Sequence, residues 1–197
     1  MKKGIIIFLL MSCMLLQQCL IVNAQDDDYT RAELADDVMN AYEYITQEFS
    51  VPVVEREVFE DIKPPYSMRI VQSYLEGFMN GIDEKTFAPE QQVTNMQAMT
   101  VVYRLIEKLN EKYNTVWPKS ISVDNEELNG LPDWSKEEIR YLLEREIISS
   151  EEKGYYNEKA DQNDIEEIFD KIKERYNTSF SGERIDFKEF LERNQKL

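Results

Sequence analysis

Three helix starts of the same form recur along the chain, and this repetition limits the folds open to it. Each begins with a residue whose side chain can cap a helix, and the first two carry Glu or Gln three positions later, as in a capping box. The segments are Thr30-Arg31-Ala32-Glu33, Thr94-Asn95-Met96-Gln97 and Asp161-Gln162-Asn163-Asp164. Their first residues lie 64 and 67 residues apart. The near-constant spacing indicates a repeated unit.

The helices predicted after these caps share an apolar stripe. Positions four, eight, eleven and fifteen after each cap are apolar or aromatic in all three segments, which places them on one helix face. The residues are Leu34, Val38, Ala41 and Ile45, then Ala98, Val102, Leu105 and Leu109, then Ile165, Phe169, Ile172 and Tyr176. We therefore expect an all-α fold in which three long helices bury these faces against one another.

The segments before the second and third caps also match each other. Phe59-Glu60-Asp61-Ile62 precedes a short apolar run that ends near Gly77-Phe78, and a Gly- and Pro-containing loop, 81–89, leads to the second cap. Leu131-Pro132-Asp133-Trp134 precedes a similar run that ends near Ile147-Ile148, with a shorter loop after it. Each of these two units is predicted to be a short helix, a loop and a capped long helix, whereas the first unit has only the long helix.

The first 24 residues have the three-part pattern of a secretory signal. Lys2-Lys3 is followed by an apolar run from Gly4 to Leu16 and by Val22-Asn23-Ala24, a cleavage site of small residues. The apolar run is shorter than the roughly 20 residues that a membrane-spanning helix needs. In a lipoprotein Cys19 would be acylated, but Gln18 stands where a small residue is expected. We predict cleavage after Ala24 and a secreted protein of the cell wall or cell surface, with no membrane span after cleavage.

Composition excludes several functional classes. The chain has no His, which excludes His-based triads, His proton shuttles and His-ligated zinc. Its 39 acidic and 23 basic residues give a formal charge of −16, which argues against nucleic acid as a partner. No phosphate-binding loop, nucleophile motif or metal-ligand spacing is present. We therefore expect a protein that is not an enzyme and needs no cofactor or metal.

The ordered motifs resemble the S-layer homology (SLH) domain. The second unit carries most of the resemblance, through Phe59-Glu60-Asp61-Ile62, Gly77-Phe78, Asn80-Gly81, Phe87-Ala88-Pro89 and Val93-Thr94. The first unit carries the family tetrapeptide Thr-Arg-Ala-Glu at residues 30–33. The resemblance covers about residues 30–176. It divides the chain into the signal at 1–24, a triplet over 25–176 with units near 30–46, 59–110 and 131–176, and a C-terminal turn and helix at 177–197.

The resemblance implies a pseudo-trimer in which three long helices form a central bundle and the short helices and loops form prongs. The grooves between prongs would bind cell-wall glycans, either a secondary polysaccharide or peptidoglycan, with the tetrapeptide arginine on an acidic sugar. A guanidinium suits a carboxylate, and a helix N-terminus favours an anion beside it. The implied glycan-binding residues are Arg31, Thr30, Glu33, Tyr66, Asn95, Trp134 and Gln162.

Departures from the family pattern leave two interpretations open. Only Arg31 keeps the family arginine, because Asn95 and Gln162 stand at the matching positions. In the first interpretation the chain is a cell-wall module that binds glycan through the groove beside Arg31. In the second it is a scaffold of the same fold that has lost the glycan site and binds a protein partner in the cell envelope.

Overall fold

A computed structural model describes residues 29–49, 58–149, 155–177 and 182–194, and the predicted signal segment lies outside these ranges. The described residues are predominantly α-helical, with two isolated backbone bridges, Thr30–Gln92 and Thr94–Lys159, and the all-α class is confirmed. The helices are α1 (Arg31–Thr46), α2 (Ser67–Leu75), α3 (Asn95–Tyr113), α4 (Asp133–Glu144), α5 (Gln162–Tyr176) and α6 (Phe187–Asn194), with 3₁₀ turns at Asn125–Leu128 and Tyr155–Asn157.

The three long helices α1, α3 and α5 begin at the predicted caps. The Thr30 hydroxyl accepts a hydrogen bond from the Glu33 amide, and the Glu33 carboxylate accepts one from the Thr30 amide at 2.8 Å. A second complete capping box starts α3. The Asp161 carboxylate accepts two amides of the first turn of α5. Each cap supplies an acceptor to amides that the helix leaves unpaired, which stabilises it by about 1 kcal/mol.

The shared apolar stripe forms the centre of the core. All twelve stripe residues are at most 4 % exposed, and α1, α3 and α5 contact one another in every pairing. The prediction that three long helices bury one face together is therefore confirmed. α3 runs past the expected boundary near residue 110, and it ends where Asn114 adopts a left-handed φ of 50°.

Backbone hydrogen bonds link the three helix starts in series. The Val93 amide donates to the Tyr29 carbonyl at 3.0 Å, and the Ala160 amide donates to the Val93 carbonyl at 2.9 Å. Just inside α1, the Arg31 amide donates to the Gln91 carbonyl at 2.9 Å. The segment before each cap thus pairs with the segment before the next one, so the start of one helix fixes the start of its neighbour.

The two short helices end in the same turn. Gly77 and Glu146 both adopt a left-handed φ, of 81° and 51° respectively. In each case the next amide, that of Phe78 or Ile147, donates to the carbonyl five residues earlier. α2 packs on α1 and α4 packs on α3. The second and third units therefore repeat in backbone geometry as well as in sequence.

Arg69 joins α2 to α1 inside the protein. Its guanidinium donates to Glu43 Oε2 at 2.7 Å, to Asp36 Oδ1 at 2.9 Å and to Asn40 Oδ1 at 2.5 Å, all on α1. Arg69 is 5 % exposed and Glu43 is 1 % exposed. The Phe187 ring of α6 lies over the guanidinium, with its centroid 3.5 Å from Cζ. The Arg69 guanidinium thereby links α2, which carries it, to α1 and α6.

The segment before α6 closes the C-terminal end of α1. Arg184 Nη1 donates to the Tyr44 and Ile45 carbonyls at 2.6 and 2.9 Å, and the Ile185 amide donates to Gln47 Oε1 at 3.0 Å. The last carbonyls of a helix have no partner within it, and a cation is favourable beside them. The predicted C-terminal helix is present and packs on the first unit rather than standing apart from it.

We expect Arg69→Met to destabilise the fold by about 3 kcal/mol or more, because it leaves the Glu43 carboxylate buried without its cation. The double variant Arg69→Met/Glu43→Leu should recover much of that loss, since it removes the charge that has become unpaired. Urea unfolding followed by circular dichroism measures both. A single variant within 1 kcal/mol of the wild type would show that the pair does not hold α2 on α1.

Burial also shifts the titration of Asp37, which accepts a 2.7 Å hydrogen bond from the Tyr29 hydroxyl. Desolvation raises the pKa of Asp37 to about 6; the Tyr29 hydrogen bond opposes the shift, while Asp36 and Glu166 add to it. The folded protein therefore binds this proton more tightly than the unfolded chain does. The contribution to stability is present below about pH 4 and is lost as the pH rises through about 6.

Asp37→Asn should therefore raise the free energy of unfolding at pH 7.5 by roughly 1 kcal/mol and flatten its fall between pH 4 and 7. Asparagine can still accept the Tyr29 hydroxyl. Glu84→Gln, which removes one exposed acidic charge, is the control for the general effect of lowering the net charge. Equal pH profiles for the two variants would show that Asp37 titrates as a surface carboxylate.

Candidate functional site

A groove lies between the start of α1, one face of α3 and the loop that follows α2. This first groove encloses about 590 Å³, its open mouth included. Its floor is apolar and includes Leu34, Val93 and Val101, which are buried. Arg31, Arg104 and Trp134 supply its charged and aromatic rim. The groove thus combines an apolar surface with two guanidinium groups in a strongly acidic chain.

Arg31 lies at the start of α1, and its guanidinium faces the loop of residues 78–89. Nε donates to the Phe87 carbonyl at 2.8 Å and Nη2 donates to the Asn80 carbonyl at 2.6 Å. Its Cζ lies 4.6 Å from the centre of the Phe87 ring. Burial lowers the pKa of Arg31 and the nearby Asp61 carboxylate opposes the shift. Arg31 therefore ties the loop to α1 while it lines the groove.

The loop 78–89 is held from its other side by Asp61. This carboxylate accepts the amides of Phe87 and Ala88 at 2.9 and 2.7 Å, and Ala88 adopts a left-handed φ of 59°. A second carboxylate, Asp83, accepts two amides within the loop at 2.8 Å. The Phe-x-Asp segment and the Phe-x-Pro segment of the sequence therefore meet, and together they give the groove a rigid wall.

Arg104 is a groove residue that the sequence analysis did not identify. It projects from the third turn of α3, and its Nη1 donates to the Phe78 carbonyl at 2.9 Å. Lys171 occupies the matching position of α5 and donates to the Ile147 carbonyl at 3.3 Å. The sequence does show a cation ten residues after the cap in both helices. Its contact with the adjacent loop is visible only in the folded chain.

Trp134 and Tyr66, the two aromatics proposed for the short helices, have different surroundings. Trp134 is 56 % exposed and lines the first groove. Tyr66 packs against the core and does not line this groove. Burial raises the pKa of Tyr66, and the carboxylates of Glu33 and Asp36 raise it further. Tyr66 therefore faces the acidic side of α1, where an anion is disfavoured.

The other proposed residues do not line the first groove. Thr30 and Glu33 hydrogen-bond to each other in the capping box. Asn95, at the position matching Arg31, is 3 % exposed, and its Nδ2 donates to the Tyr155 carbonyl at 2.9 Å. Gln162 donates to Glu166 Oε1 at 2.8 Å. The structure therefore brings Arg31 and Trp134 together and leaves the rest at helix starts.

A second groove lies between α3, α5 and the end of the turn after α4. It occupies the place in the third unit that corresponds to the first groove. Its lining includes Lys171 but also Asp164 and Glu167, and Asn95 is not part of it. The two grooves therefore differ in charge: the first presents two guanidiniums, and the second presents one ammonium with two carboxylates.

No group of three or more potential metal ligands occurs among the residues that the structure describes. No helix within the described ranges is both long and apolar enough to cross a membrane.

Comparisons with known proteins found no match: no family model fits the sequence, and no curated protein or solved structure resembles the chain.

Gly81 should be essential to the shape of the loop. A Cβ there would lie 2.5 Å from Phe59 Cε1 and 2.7 Å from the Thr86 carbonyl oxygen, so Gly81→Ala should cost about 2 kcal/mol or more of stability. Gly77→Ala is the matched control, because its Cβ would meet nothing within 4 Å and the cost is the backbone strain of its φ of 81°, about 1 kcal/mol. Thermal and urea unfolding measure both. A smaller loss for Gly81→Ala would contradict the packing argument.

Proposed function

We propose that the protein attaches non-covalently to the bacterial cell wall by holding an acidic wall glycan, a secondary polysaccharide or peptidoglycan, in the first groove. We further propose that the chain is an SLH-type triplet in which α1, α3 and α5 form the centre of a pseudo-trimer. The series of backbone bonds between helix starts and the repeated turn after α2 and α4 support this arrangement.

One observation carries the functional proposal: Arg31, Arg104 and Trp134 surround a single groove with an apolar floor. A guanidinium binds a carboxylate through parallel hydrogen bonds, and an exposed aromatic ring offers a flat apolar surface to the face of a sugar. An acidic sugar can make both contacts at once. Because the whole chain carries a charge of −16, a local pair of cations is what such a ligand requires.

The predicted signal over residues 1–24 would deliver the protein to the outside of the cytoplasmic membrane, where wall polymers are accessible. A groove that is preformed by Arg31, Asp61 and the loop 78–89 needs little ordering when a ligand binds. Less of the binding free energy is then lost to ordering the groove, which favours non-covalent attachment.

Co-sedimentation with purified bacterial sacculi tests the proposal. We expect the protein to pellet with native sacculi and to bind less to sacculi stripped of secondary polymer. Trp134→Ala should weaken binding about tenfold, because the exposed ring is lost while the core is untouched. Leu75→Ala, another exposed apolar side chain but outside the groove, is the control and should bind as the wild type does.

The outcomes separate the candidate ligands. Binding that survives removal of secondary polymer and still depends on Trp134 would identify peptidoglycan as the glycan. Binding that Trp134→Ala and Leu75→Ala leave equally unchanged would place the site outside the first groove. Absence of binding to both kinds of sacculi would contradict the glycan function and favour a scaffold that binds an envelope protein.

A further inference from the structure

We propose that Arg104 is the residue that binds the acidic group of the glycan, as a carboxylate, and that Arg31 chiefly positions the loop 78–89. This inference rests on the proposed function, because it assigns roles within the same groove. It reverses the order of importance that the resemblance implies, in which the tetrapeptide arginine meets the acidic sugar. The two arginines differ in which edge of the guanidinium is already hydrogen-bonded.

The side edge of Arg31 is occupied. A guanidinium can grip a carboxylate with Nε and Nη2, which point the same way and match the spacing of the two oxygens. In Arg31 these two nitrogens donate to the carbonyls of Phe87 and Asn80 at 2.8 and 2.6 Å. A ligand carboxylate could reach this edge only by displacing both loop carbonyls. Arg31 therefore supports the wall of the groove before any ligand arrives.

The side edge of Arg104 is open. Nη1 donates to the Phe78 carbonyl at 2.9 Å, and Nε and Nη2 have no partner among the residues that the structure describes. No carboxylate of the described ranges forms an ion pair with Arg104, although the chain has 39 acidic residues. The hydrogen bond to Phe78 restrains the guanidinium. Because Arg104 lines the first groove, its unused Nε–Nη2 edge is available there to a ligand.

Comparison with the second groove shows that the guanidinium edge of Arg104 is a difference between the two grooves. Lys171 replaces Arg104 there and keeps the bond to a loop carbonyl, at Ile147, but an ammonium has no planar edge. Asp164 and Glu167 line that groove as well, which disfavours an anion. The support of the loop is common to both units, whereas the carboxylate-binding edge belongs to the first groove. We therefore expect one acidic group to be bound per protein molecule.

The test compares Arg104→Lys, Arg104→Gln and Arg31→Lys with the wild type, using the purified protein. The probes are native sacculi and the same sacculi with their carboxyl groups chemically reduced to primary alcohols. Arg104→Lys keeps the charge and, as Lys171 shows, a donor for the loop carbonyl, so it changes mainly the geometry of the edge. Thermal unfolding of every variant reports separately on the support of the loop.

We expect Arg104→Lys and Arg104→Gln to bind native sacculi at least about tenfold more weakly than the wild type, with Arg104→Lys close to it in melting temperature. On carboxyl-reduced sacculi the wild type should fall to the level of Arg104→Gln, and neither variant should weaken further. Arg31→Lys should lower the melting temperature more than Arg104→Lys does and should still distinguish native from reduced sacculi.

The results that would overturn the inference differ from those that would overturn the function. Wild-type binding that Arg104→Lys and Arg104→Gln leave unchanged refutes the role of Arg104 alone. Wild-type binding that carboxyl reduction leaves unchanged refutes the carboxylate as the bound group, and with it this inference, while attachment to the wall stands. An equal loss on native and reduced sacculi gives Arg104 a purely structural role and also refutes it. Failure of the wild type to bind native sacculi refutes the proposed function and this inference together.

Discussion

The groove depends on how the first turn of α1 is tied to the chain just before α3. The amides of Arg31 and Ala32, which the helix itself cannot pair, donate to the carbonyls of Gln91 and Pro89 at 2.9 and 3.0 Å. These bonds fix the start of one long helix against the entry to the next. They also bring the Arg31 side chain beside the loop 78–89, whose carbonyls it then bonds. Without this link the apolar floor would have no polar wall.

Sequence reasoning predicted those features whose causes are local or periodic. The capping boxes at Thr30 and Thr94 need only residues three positions apart, and the buried stripes follow from helical periodicity, so both were predictable. Arg31 and Trp134 were identified through the resemblance, and the structure places both in one groove. Arg104 was not identified, because its role arises from a loop 26 residues earlier that contacts α3 only in the folded chain.

The units repeat in backbone geometry but differ in the side chains that face their grooves. The position of Arg31 holds Asn95 in the second unit, where the shorter side chain still bonds a loop carbonyl, at Tyr155. The support of the loop is thus preserved while the guanidinium is lost. This pattern explains why a repeated fold need not give repeated sites. Backbone hydrogen bonds set the fold, whereas the side chains at a few half-buried or exposed positions set the charge of each groove.

The charge of the chain and the chemistry of the groove act over different distances. A charge of −16 repels an anionic polymer, but at physiological salt exposed charges are largely screened beyond about 8 Å. Within the groove, the hydrogen bonds of Arg31 and Arg104 go to backbone carbonyls, and neither guanidinium forms an ion pair with a carboxylate of the described residues. The acidic surface therefore disfavours unspecific contact with anionic polymers, and in the function that we propose the groove would select an acidic group that can lie against Arg104 while its sugar ring lies against Trp134.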